Sequence, residues 1–215
     1  SSDVCSSDLR PWLTQLAQRT ISLLAPIYEA QFASIRLSRV KAMDETPIKA
    51  GRAGRGKMKT GYFWPVYGEA DEVCFPYCAS RSHAHVRNLL GMAPAADAVL
   101  ISDGYDAYSA YAQKTGLTHA QCWSHTRREI FEALESEPTG VGEALEQIKA
   151  LYAIEEHIRE HQLVDVDKQL YRLTHSKPKV EVFFDWIERQ FERHGFTPTN
   201  PFIKALRYEI GRAHV

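Results

Sequence analysis

Two aspartates carry the residue types and settings best suited to chemistry. Asp44 lies in Met43-Asp44-Glu45-Thr46-Pro47, and Asp103 in Ile101-Ser102-Asp103-Gly104-Tyr105-Asp106-Ala107-Tyr108. Each follows a short segment that reads as a strand, so each carboxylate is expected at a strand end. Two such carboxylates on neighbouring strands suit a hard divalent cation, Mg²⁺ or Mn²⁺. Paired ions roughly 3.5–4 Å apart clamp the attacking and leaving oxygens in phosphoryl transfer to nucleic acid. Taken singly, each aspartate has a plainer reading. Asp44 before Glu-Thr-Pro can cap a turn or a helix, and Asp-Gly is a frequent turn.

Other groups are less specific. Residues 51–59 form a Gly-rich loop with four cations, Arg52, Arg55, Lys57 and Lys59, suited to a phosphate backbone. The loop lacks the spacing of a nucleotide-binding P-loop, and its plainer reading is a flexible charged loop. Cys122-x-x-His125 could be half of a zinc site, with Cys74 and Cys78 on one face of a strand as further ligands. The alternative is a buried Cys122 and a His125 that contacts its neighbours. Arg127 and Arg128 follow at the start of a helix, where they could meet phosphates or form a solvated face. His83 and His85 receive no role, and Glu155-Glu156 reads as a solvated helix face.

These residues need elements to hold them. Residues 10–36 read as one or two helices, with Pro26 as a break or kink. Residues 61–67 and 72–77 read as strands of a hairpin around Gly68-Glu69-Ala70-Asp71. A helix over 82–90 ends at Gly91. The apolar run 98–102 reads as a buried central strand. A helix follows over 105–114, a strand over 117–123 and a helix over 124–135. The fold class is therefore α/β, a mixed sheet with flanking helices. After Pro138 only helices are expected, over 141–162, 167–174, 180–194 and 200–208. The expected organisation is an N-terminal helical segment (10–36), a catalytic-type core (37–137) and a helical insertion (138–208).

A length of 215 residues with 44% hydrophobic content supports a real core. The net charge of -1 announces no global basic field, so a nucleic-acid partner must be met by local patches. No apolar run approaches the roughly 18 residues of a membrane span. Four cysteines without a disulfide framework make the cytoplasm the default location. The ends, residues 1–9 and 209–215, resemble translated sequencing-adapter oligonucleotides. They are expected to be scars, so Cys5 and Glu209 receive no functional weight.

Six blocks, in order, resemble the IS66-family transposases of bacterial insertion sequences. They are Met43-Asp44-Glu45-Thr46-Pro47, Lys59-Thr60-Gly61-Tyr62-Phe63-Trp64, Asp103-Gly104-Tyr105-Asp106-Ala107-Tyr108, Cys122-Trp123-Ser124-His125-Thr126-Arg127-Arg128, Ile148-Lys149-Ala150-Leu151-Tyr152-Ala153-Ile154-Glu155 and Lys204-Ala205-Leu206-Arg207-Tyr208. The resemblance implies an RNase H-like core with Asp, Asp and Glu as catalytic acids. Asp44 would be the first and Asp103 the second. The third would lie in an Asn-Asn-x-x-Glu-Arg segment beyond Tyr208, so the chain is expected to be an incomplete, inactive fragment of a DDE transposase. It further implies Mg²⁺ or Mn²⁺, transposon-end and target DNA, a homo-oligomer in the transposition complex, no membrane, and a bacterial cytoplasm with association to the nucleoid. Two alternatives stand beside it: a nuclease of the same fold, and a DNA-binding or assembly remnant without catalysis.

Overall fold

Burial of alternate side chains marks the strand that leads to Asp44. In β1 (Val40–Met43), Lys41 and Met43 are buried while Val40 is exposed. The computed structural model describes residues 6–51, 56, 58–193 and 197–210. Its strands continue as β2 (Thr46–Ala50), β3 (Lys59–Phe63), β4 (Val66–Tyr67), β5 (Val73–Cys74), β6 (Tyr77–Cys78), β7 (Val99–Ser102) and β8 (Thr118–Gln121). The helices are α1 (Ser6–Leu37), α2 (His83–Leu90), α3 (Asp106–Thr115), α4 (Trp123–Glu132), α5 (Pro138–Glu160), α6 (Asp165–Glu192) and α7 (Pro201–Ile210). The fold is thus mixed α/β, as the alternation of periods implies.

Contacts divide the chain into residues 1–120 and 121–215. The first unit holds a mixed sheet in the order β5-β4-β1-β7-β8. Here β1 runs antiparallel to β4, with Met43 opposite Val66. It runs parallel to β7, with Ala42 opposite Ile101. The hairpin around residues 68–71 is present as β4 and β5, with Val66 opposite Cys74. The core of this unit is built from Phe32, Ile35, Met43, Trp64, Val86, Leu100, Tyr108 and Tyr111 among others. In α2, the Ser82 hydroxyl caps the N-terminus and Gly91, at φ 79°, ends the helix.

Several expectations change. A second sheet, β2-β3-β6, carries a strand that the sequence does not suggest. β2 has four exposed residues, Pro47 among them, which an edge strand tolerates because its outward N–H groups need no partner. Pro26 does not break α1, and Pro178 does not divide the helix that the pattern splits into 167–174 and 180–194. Cys74 and Cys78 do not share a strand. Phe75-Pro76 interrupts it, leaving Cys74 in the larger sheet and Cys78 in the smaller one.

Among the described residues, the regular structure of the second unit is helical apart from the end of β8. Ile130 of α4 is buried with Val141, Ile148, Phe183, Ile187, Phe202 and Leu206 in one core. This packing explains why the contacts divide at Ala120, earlier than the change of composition at Pro138. Among the described residues no helix is long and apolar enough to cross a membrane.

One buried charge lies beneath the site strand. Lys41 is 1% exposed. Its ammonium donates to the carbonyl of Arg36 at 3.2 Å and to that of Ser38, capping the last turn of α1. Burial holds the ammonium below the usual lysine range, against the pull of Glu69. The unfolded chain therefore keeps the proton to higher pH than the folded one. Stability should rise as pH climbs from the lowered folded value to the ordinary lysine value. Lys41→Met should remove that rise and, by stranding two carbonyls, cost about 1–3 kcal/mol near neutrality. Urea titrations of both proteins across alkaline pH check this; parallel pH profiles would contradict it.

Candidate active site

The parallel register between β1 and β7 builds the site. Val40 faces Val99, Lys41 faces Leu100 and Ala42 faces Ile101. Continued by two residues, the same register sets Asp44 beside Asp103, at the C-terminal ends of adjacent parallel strands. Parallel neighbours lie about 4.8 Å apart, so the two carboxylates rise from one sheet edge.

Local hydrogen bonds orient both. Asp44 Oδ1 accepts the Glu45 N–H at 2.8 Å. Asp103 Oδ1 accepts the Tyr105 N–H at 2.9 Å, forming a turn that opens α3. The turn-forming reading of Asp103 is thus present in the structure. Behind it, Ser102 Oγ shares a hydrogen bond with His119 Nε2 at 2.7 Å and donates to the Asp103 carbonyl at 3.0 Å.

Sequence reasoning passes over the group that closes the site. Glu45, with only 3% of its side chain exposed, accepts from Tyr108 Oη at 2.5 Å and from Arg81 Nε at 2.5 Å. Burial pushes its carboxyl above the usual range, and nearby Asp103 adds to this, while the bonds from Tyr108 and Arg81 oppose it. Burial drives the Tyr108 hydroxyl far above the tyrosine range. The Glu45 hydrogen bond and the charges of Glu45, Asp103 and Asp44 push the same way. Tyr108 thus stays protonated and donates. Arg81 also lies over the Tyr105 ring, 4.2 Å from its centre, and the Tyr105 hydroxyl donates to the Arg81 carbonyl at 2.8 Å. The one available sequence signal was that Glu45 and Tyr108 sit within the two aspartate motifs. Arg81, 36 residues from Glu45, gives none. His85 packs edge-on to Trp64 and bonds Ser80, and His83 packs edge-on to Tyr105.

The donor set fits a hard divalent cation in part. Two carboxylates share an edge, while both oxygens of Glu45 are taken by Arg81 and Tyr108. Among the described residues, no three His, Cys, Asp or Glu side chains are placed to hold a metal ion. Two carboxylates completed by water and substrate phosphate are a normal Mg²⁺ arrangement. The zinc alternative gathers no ligand set among those residues. Burial raises the Cys74 and Cys78 thiols above the ordinary cysteine value. Cys122, half-buried, stands at the N-cap of α4, where its carbonyl accepts from the His125 and Thr126 N–H groups.

Three of the six expected cations are among the described residues. Arg52, Arg55 and Lys57 lie outside the described residues. Lys59 is exposed where β3 begins, opposite Ala50 at the end of β2. Arg127 and Arg128 are exposed on α4, in the second unit.

A family model described as "Transposase IS66 family" matches residues 8–214. No curated protein matches the sequence. Because that match spans nearly the whole chain and includes both aspartate motifs, the chain belongs to the IS66 family of transposases.

Proposed function

We propose that this chain carries the catalytic sheet of a DDE-type transposase, with Asp44 and Asp103 as two of its metal-binding acids. The observation that carries the reading is the β1–β7 register, which brings both acids to one edge. The strand order supports an RNase H-like core, since β1 pairs antiparallel on one side and parallel on the other. Family membership supports DNA as partner, both transposon end and target, in a homo-oligomeric complex.

In the proposed reaction, water attacks a phosphate at the transposon end as the bond to the 3′ oxygen breaks. The freed 3′-hydroxyl then attacks a target phosphate, and its P–O bond forms as the target strand opens. No covalent bond to protein is needed. Bound Mg²⁺ or Mn²⁺ supplies Lewis-acid charge for the nucleophile and leaving oxygen. Asp44 and Asp103 hold the cation side of the site, kept in orientation by the Glu45 and Tyr105 N–H groups. Glu45, locked by Arg81 and Tyr108, walls the site without ligating. Lys59 and the loop it closes, with Arg52, Arg55 and Lys57, contact the DNA backbone, and Arg127 and Arg128 add further phosphate contacts. A third acid completes the set.

Mn²⁺ titration followed by electron paramagnetic resonance tests the metal site without requiring turnover. Asp44→Asn and Asp103→Asn should each weaken binding about tenfold or more, because a lost carboxylate removes both a ligand and a charge. Binding unchanged in both variants would sink the metal reading. A second reading, a non-catalytic DNA-binding or assembly element, would then lead. It is favoured by one observation, the lack of a three-ligand group among the described residues.

A further inference from the structure

The largest unexplained feature is α1. Only its end is tied to the first unit. Phe32 and Ile35 are buried, Gln31 Nε2 donates to the Val73 carbonyl at 2.9 Å, and Arg36 Nε donates to the Leu89 carbonyl at 2.6 Å. Upstream, every residue from 9 to 24 is exposed. Leu13, Leu16, Leu23 and Ile27 are 54%, 47%, 78% and 64% exposed. A helix standing free over so many turns gains little from propensity alone and normally depends on packing an apolar face.

The spacing says what packs there. Leu13, Leu16, Thr20, Leu23, Ile27 and Ala30 alternate steps of three and four, the 3.5-residue repeat of a coiled-coil seam. Leu13, Thr20 and Ile27 fall at the a positions; Leu16, Leu23 and Ala30 fall at d. β-Branched residues at a with leucine at d favour two parallel strands. The Thr20 hydroxyl bonds the Leu16 carbonyl at 2.9 Å, which leaves its methyl for the seam. Pro26 falls at a g position, off the seam.

We propose that α1 pairs with α1 of a second copy of this chain as a parallel two-stranded coiled coil. Such a seam is self-complementary, as a two-fold interface requires. In that register Arg19, at g, meets Leu24 of the second copy, at e, so no like charges oppose. Trp12 and Leu24, 57% and 55% exposed, widen the seam. With the four aliphatic side chains above, they offer on the order of 600 Å² per copy, which reaches the lower end of stable interfaces when doubled. The pairing does not depend on the metal-site reading.

Sedimentation velocity on the whole chain tests it. The wild type should be a dimer, and Leu16→Glu/Leu23→Glu should be a monomer that still unfolds cooperatively in urea. In a Cys5→Ser background, Thr20→Cys should cross-link under mild oxidation and Gln18→Cys, on the opposite face, should not. The cross-linking decides the matter if the double variant aggregates. A monomeric wild type, a dimer indifferent to the two glutamates, or equal cross-linking at residues 18 and 20 would overturn the proposal.

Discussion

Asp103→Asn should abolish end nicking by the transposase that carries this sequence, with a loss of about 10³-fold or more. Removing a ligand of a catalytic cation forfeits several kcal/mol of transition-state stabilisation, and each 1.36 kcal/mol is tenfold in rate. Asp44→Asn should match it, and the double variant should be hardly worse than either, because residues acting as one unit are not additive. Binding of end DNA should persist. The measurement is Mg²⁺-dependent release of a labelled 3′-hydroxyl from a transposon-end duplex. Activity within tenfold of wild type for either variant would remove that residue from the catalytic set. Asparagine is the informative replacement. Its Oδ1 can still accept the Glu45 or Tyr105 N–H, so the turn survives while the charge is lost.

Trp64→Ala should be among the most damaging changes to stability. Trp64 is fully buried, edge-on to His85 at 5.9 Å and to Tyr108 at 6.4 Å, and its N–H donates to the Pro76 carbonyl at 2.9 Å. Emptying such a site costs about 3–5 kcal/mol, a large part of the roughly 5–15 kcal/mol that holds a domain folded. The cavity would also open behind Tyr108, so Glu45 would lose its fixed donor. Trp64→Phe should be far milder. The indole Nε1 is buried with no partner among the described residues, so phenylalanine gives up area but also removes an orphaned donor. Guanidinium unfolding of the two variants separates the effects; equal losses would mean that the indole nitrogen is satisfied and contributes.

The parts of this fold that were legible share one property: their cause is local. The Ser82 cap and Gly91 stop announce α2, the apolar run announces β7, and the turn at 68–71 announces the β4–β5 pair. Placing Asp44 and Asp103 at strand ends also followed from short-range pattern. What could not be read depends on distant partners. Arg81 and Tyr108 reach Glu45 from 36 and 63 residues away. β2 exists because β3 offers it a ladder, and no periodicity in Thr46-Pro47-Ile48-Lys49-Ala50 foretells that. Pro26 reads locally as a breaker, yet α1 runs through it, and α6 runs through Pro178. α4 was grouped with the sheet by chain order, whereas its buried Ile130 joins the helical core.

The tight step between the two sheets has a mechanical meaning. β1 ends at Met43 and β2 begins at Thr46, so only Asp44 and Glu45 separate them. Glu45 is pinned by Arg81 and Tyr108, and there is no loop to absorb strain. The β2–β3 hairpin is an arm of five paired residues per strand, about 17 Å long at 3.3–3.4 Å per residue. A load on that arm has a short, taut route to the backbone of Asp44. Bending of the hairpin would therefore register as tension at Asp44, which makes the arm a strain gauge wired to the end of β1.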